Sequence, residues 1–74
     1  METLYNELNN VFPNQWWFYE VQGLNYYEAS DRCVRLTANP SHVVNYHGKL
    51  IFASVDKIPS DDIPWLVLIG GPAN

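Results

Sequence analysis

The sequence predicts a small single α+β domain with the element order α-β-α-β-β-β: a mainly antiparallel four-stranded sheet, one helix packed on a face of it, and a short N-terminal helix. Three observations predict this. Apolar residues recur at helical spacing in two stretches, residues 2–12 and 26–36. Between and after these stretches lie apolar runs that alternate or are unbroken, as strands do. A His47-Gly48 pair divides two of those runs where a hairpin would turn. A hydrophobic share of 47% against 16% charged residues fits a chain that folds rather than one too polar to bury a core.

Leu4, Leu8, Val11 and Phe12 fall on one helical face, and Pro13 stops the run, so the N-terminal helix is expected within residues 1–13. Residues 16–22 follow, rich in aromatics and ending at Gly23, the pattern of a strand. A period of two places Trp17, Tyr19 and Val21 on one face and Trp16, Phe18, Glu20 and Gln22 on the other. The first set is expected to meet the core. Trp16 and Phe18 are expected to be covered by the first helix or by another molecule.

Asn25, with Glu28 three residues later, resembles a capping box and starts the second helix near Tyr26. Tyr26, Ala29, Cys33 and Leu36 form its core stripe, and the pairs Glu28–Arg32 and Asp31–Arg35 lie four apart on the solvent side. Asn39-Pro40 is expected to end it. Residues 42–46 and 49–55 then form a hairpin that sets Tyr46 opposite Lys49, Val44 opposite Ile51 and Val43 opposite Phe52. That register requires His47 to accept a positive φ. Residues 56–64, with their prolines and aspartates, predict an exposed loop. Trp65 to Ile69 is an unbroken apolar run of the kind found in the middle of a sheet. The expected organisation is one domain, with a βαβββ core over residues 16–69 and a flexible tail over 70–74.

Chemistry is harder to find. Cys33 is the single cysteine, so it forms no internal disulfide and anchors no Cys-rich zinc site. Its place on a core stripe suits a structural thiol rather than a nucleophile. His42 and His47 lack further ligands at metal spacing. Asp56, Asp61 and Asp62 lack the alternation, central glycine and terminal glutamate of an EF-hand. Glu20 stands alone among aromatics, with no second carboxylate beside it. No catalytic, metal or cofactor site is therefore expected, and an enzyme or small-ligand carrier is the least favoured class.

Eight acidic residues against four basic ones, a net charge of −4, oppose direct contact with nucleic acid, which depends on lysine and arginine displacing counterions. The longest apolar runs, four and five residues, fall far short of the roughly 20 that span a bilayer. Glu2 and Glu7 stand where a secretory signal would be basic, and a cytoplasmic protein is expected. What remains is eleven aromatic residues, four of them consecutive as Trp16-Trp17-Phe18-Tyr19. Aromatics dominate binding hot spots. The expected function is non-enzymatic binding of another protein, one with a basic surface. Trp16, Phe18, Glu20 and Tyr27 would supply the contact, and Asp56, Asp61 and Asp62 the complementary charge. Small acidic proteins that phages and mobile elements use to block host proteins, nucleic-acid-binding ones included, have this composition. The alternative is a homo-oligomer, or a subunit of a larger assembly, that buries the same aromatics against a copy.

Overall fold

Asn25 caps the second helix through both arms of a capping box. Its Oδ1 accepts from the Glu28 N–H at 2.8 Å, and Glu28 Oε1 accepts from the Asn25 N–H at 3.3 Å. In the computed structural model, which describes residues 2–37 and 41–72, this helix is one of two. The elements in chain order are α1 (Glu2–Val11), β1 (Trp16–Glu20), α2 (Tyr26–Val34), β2 (Ser41–Tyr46), β3 (Lys49–Ser54) and β4 (Leu66–Gly70), with a 3-10 turn at Ser60–Asp62 before β4. The predicted α+β class and element order are those of the structure. The expected stop at Asn39-Pro40 lies outside the described residues. The helix ends earlier, where the Arg35 N–H turns to the Arg32 carbonyl and the Leu36 N–H to that of Cys33. These tighter bonds bring Leu36 down onto the core.

The four strands lie in the order β2-β3-β1-β4, and every neighbouring pair is antiparallel. The hairpin has the predicted register, with Tyr46 opposite Lys49, Val44 opposite Ile51 and Val43 opposite Phe52. His47 takes φ 51° and Gly48 φ 82°, the two left-handed residues that a tight twisted hairpin needs. The Gly48 N–H donates to Asn45 Oδ1 at 3.0 Å and closes the turn.

Each sheet face has its own core. On one face Leu8 of α1 packs with Trp17, Ile51 and Ala53, flanked by Leu4, Tyr5, Tyr19, Tyr46 and Ile69. The Tyr46 hydroxyl donates to the Glu7 carboxylate and ties α1 to the hairpin. Phe12, just past the helix, stacks on His42 at 5.5 Å and tilts against Trp17 at 6.3 Å. On the other face Phe18, Cys33, Phe52, Ile58 and Leu66 form the second core, joined by Trp16, Leu36, Val43, Ile63 and Trp65. The helix α2 covers part of this face, and the chain from Ile58 to Trp65 covers the rest.

This arrangement corrects several expectations. The first helix lies over Trp17 and Tyr19, and the Trp16 and Phe18 face is closed by α2 and by the 58–65 segment. Residues 56–64 are therefore not simply an exposed loop, because Ile58 is buried and Ile63 packs beside it. Val21 lies beyond the end of β1 and is exposed rather than in the core, and Tyr26 is also half exposed. The apolar strand β4 stands at the sheet edge, pairing among the described residues with β1 alone. The chain stays packed as far as Pro72: Gly70 closes β4, and Trp16 lies so close over Gly71 that a Cβ there would collide with its ring. Ala73 and Asn74, the rest of the expected tail, lie outside the described residues.

Candidate functional site

The residues expected to form a contact patch are dispersed by the fold. Phe18 has no exposed surface and fills the second core against Phe52, with ring centres 6.0 Å apart. It cannot touch a partner while the domain is folded. Trp16 is half-buried beneath the Lys57 ammonium, which stands 5.2 Å from its ring centre. Glu20 serves the chain itself: its Oε2 accepts from the Gln22 N–H at 2.9 Å and the Leu24 N–H at 3.3 Å, shaping the turn from β1 into α2. Asp56 is half-buried just past β3, its N–H donating to Ser54 Oγ at 3.0 Å. Tyr27, Asp61 and Asp62 stand in solvent, Tyr27 with its ring edge-on to Tyr26 on α2.

The groups considered for chemistry are likewise kept apart. Burial pushes the Cys33 thiol up from 9.0 to about 12, and the nearby Glu20 carboxylate adds to the shift. A thiol so held is protonated at neutral pH and inert as a nucleophile. His42 is occupied by Phe12, and His47 lies in the hairpin turn with its ring edge-on to Tyr46. Among the described residues no three His, Cys, Asp or Glu side chains come together as a metal site requires. Of the two expected ion pairs on α2, only Asp31–Arg35 forms, at 3.3 Å. Glu28 is taken by the cap, and Arg32 instead donates to Gln22 Oε1 at 2.8 Å and lies over the Trp65 ring at 5.5 Å.

The structure brings together a different set of residues. Between the 57–64 segment and β4 runs a groove of about 470 Å³. Ile58, Ile63, Leu66 and Leu68 give it apolar walls, Pro59 and Pro64 stiffen the segment opposite the strand, and Asp61 supplies a carboxylate. Asp62 follows on the same 3-10 turn and is exposed. The 3-10 turn is closed by the Asp62 N–H to the Pro59 carbonyl and the Ile63 N–H to that of Ser60, each at 3.0 Å. The groove lies along the outer edge of β4, where no further strand pairs among the described residues. Sequence pattern named Asp61 and Asp62 as charge offered to a partner but did not reveal the groove beside them. The signal for its apolar wall was the run at 65–69 beside that proline- and aspartate-rich segment, and the run suggested a central strand instead.

A second hollow, of about 400 Å³, lies between the β1–α2 turn and the hairpin end, lined by Tyr19, Glu20, Val21 and Lys49 among others. Its carboxylate is the one already bonded to Gln22 and Leu24. The groove beside β4 therefore combines apolar wall, open main chain and unengaged acidic side chains better than any other surface described. No helix among the described residues is long and apolar enough to cross a membrane. Compared with known protein families, curated proteins and solved structures, the chain matches none.

Proposed function

We propose that the protein acts without catalysis, by binding another protein through the groove beside β4 and occluding the surface it covers. The observation that carries this reading is the apolar groove running along an unpaired strand edge, with the carboxylates of Asp61 and Asp62 beside it. Apolar walls supply affinity on desolvation, and the carboxylates favour a basic partner and repel acidic ones. A net charge of −4 acts in the same direction at longer range. The proposed action is occlusion of a basic face on another protein, including one that holds nucleic acid. That is the mode of an accessory protein directed by a phage or mobile element against its host, in the cytoplasm.

Site-directed photocrosslinking in the source cells tests this. A benzophenone side chain at Pro59, on the groove wall, is expected to give one discrete adduct with another protein. The adduct should be lost when Asp61 and Asp62 are changed to lysine. The same group at Tyr27 or Val34, exposed on α2 away from the groove, should give none. Adducts from all three positions alike, or none from Pro59, would sink the groove as the binding surface. An adduct with a second copy would replace the heterologous partner with self-association.

A further inference from the structure

We propose that the segment entering the groove is an extended, cationic stretch of the partner, which pairs with β4 as a fifth strand. The inference rests on the groove being the binding surface and names what occupies it.

The main chain argues for an extended occupant. The Val21 N–H donates to the Trp65 carbonyl at 2.9 Å, and Tyr19 stands opposite Val67. The main-chain groups of Trp65 and Val67 therefore face β1, and by alternation those of Leu66 and Leu68 face outward. Leu66 has its N–H taken by the Ile63 carbonyl at 3.1 Å. The Leu66 carbonyl and both groups of Leu68 then look out over the groove, with no strand beyond them among the described residues. An antiparallel segment would satisfy all three: one of its residues exchanges two hydrogen bonds with Leu68, and the residue two places along donates to the Leu66 carbonyl.

The footprint is short at both ends. Toward the N-terminal end of β4 the Ile63–Leu66 bond closes the edge. Toward the other end the pairing with β1 shifts, from Leu68 opposite Phe18 to Gly70 opposite Trp17, leaving Ile69 as an extra residue that bends the strand away. The partner residues opposite Leu66 and Leu68 share their face and meet Ile58 and Ile63, which suits aliphatic side chains.

Charge selects between partners. Asp61 lines the groove and Asp62 adjoins it, while the one lysine on the lining, Lys57, holds its ammonium over Trp16. Basic residues flanking the aliphatic pair would meet these carboxylates. A second copy pairing through β4 would instead bring two such carboxylate pairs, and two chains of net charge −4, against each other.

The test uses the isotope-labelled full chain and a short blocked peptide of alternating valine and lysine, followed by NMR titration and amide exchange. The expected result is saturable binding that weakens with salt, with the Leu68 amide shifted and its exchange slowed at least about tenfold. Methylating the valine amides, which face β4 in this register, should weaken binding at least about tenfold, since the two hydrogen bonds they donate to the Leu66 and Leu68 carbonyls are lost. Methylating the lysine amides should leave binding intact. A valine–glutamate peptide should not bind. Leu68→Pro, which removes an outward N–H from an edge strand without touching the β1 ladder, should abolish binding while the circular dichroism spectrum is retained.

Equal binding of the valine-methylated peptide, or an unshifted Leu68 amide while Asp61 and Ile63 respond, overturns strand pairing but leaves the groove as a binding surface. Binding of the glutamate peptide as tightly as the lysine one overturns the charge selection. Protection of Leu68 that grows with protein concentration and no peptide overturns the cationic partner in favour of a second copy. Binding of no peptide overturns the inference, whatever the crosslinking from Pro59 shows.

Discussion

Phe18 and Tyr27 show how differently two aromatics of one chain are used. Phe18 has no exposed surface, and Tyr27 keeps 82% of its own. Phe18→Ala should therefore cost about 3–5 kcal/mol, a large part of the roughly 5–15 that holds a small domain folded. Tyr27→Ala should stay within about 0.5 kcal/mol, and urea denaturation of both variants checks the contrast. Phe18→Ala consequently reports on folding and not on binding. Cys33 gives a pH-dependent test. Its thiol titrates near 9.0 when unfolded and is pushed up to about 12 in the folded chain. Below about pH 9 both states keep the proton. Above that the unfolded chain releases it first, so stability falls as pH rises toward 12, by at most about 1.4 kcal/mol per unit. Alkaline denaturation curves should flatten in Cys33→Ala, and the native thiol should resist alkylation at neutral pH until denaturant is added. Much at this scale was legible in the sequence. The alternation of β1 sorted Trp17 and Tyr19 from Trp16 and Phe18, and the core stripe of α2 was correct at Ala29 and Cys33. Which covering each set received was not legible, because alternation gives two faces without saying what lies over either.

At the level of elements, local chemistry carried the most information. The capping box and the hairpin register depend on residues a few places apart, and both form as the sequence predicts. Asn25→Ala should cost about 1 kcal/mol, with loss of helical signal at α2 observed in thermal melts. His47 occupies a left-handed position that asparagine accepts more readily, so His47→Asn should raise the melting midpoint and leave the fold unchanged. Gly71→Ala should do the reverse, since its Cβ has no room beneath Trp16. The position of β4 was misread for a physical reason. Residues 65–69 are uniformly apolar because both faces of that strand are partly covered, by Tyr5 of α1 against Gly70 and by the 58–65 segment over Leu66. An apolar run reports the burial of faces and is silent about the edges. Beside α2, an irregular segment completes the layer on that face through Ile58 and Ile63.

Across the whole molecule, two cores lie on opposite faces of one sheet and share its strands β1, β3 and β4. Damage to β1 therefore reaches both. Trp17→Ala and Phe18→Ala should each lower the midpoint of one cooperative transition rather than melt one face separately, which calorimetry would show. The surface charge and the open edge of β4 lie on the same side of the molecule as the 57–64 segment, so binding there should weaken with salt while folding changes little. β1 leaves the ribosome about 50 residues ahead of β4, one of its two partners. Until Leu66–Gly70 has emerged, Phe18 lacks part of its cover, Tyr5 lacks its seat on Gly70, and β1 has an edge to fill. A chain released only as far as β3 holds three of the four strands, and the pairing across about 50 residues is the contact that should slow its folding most.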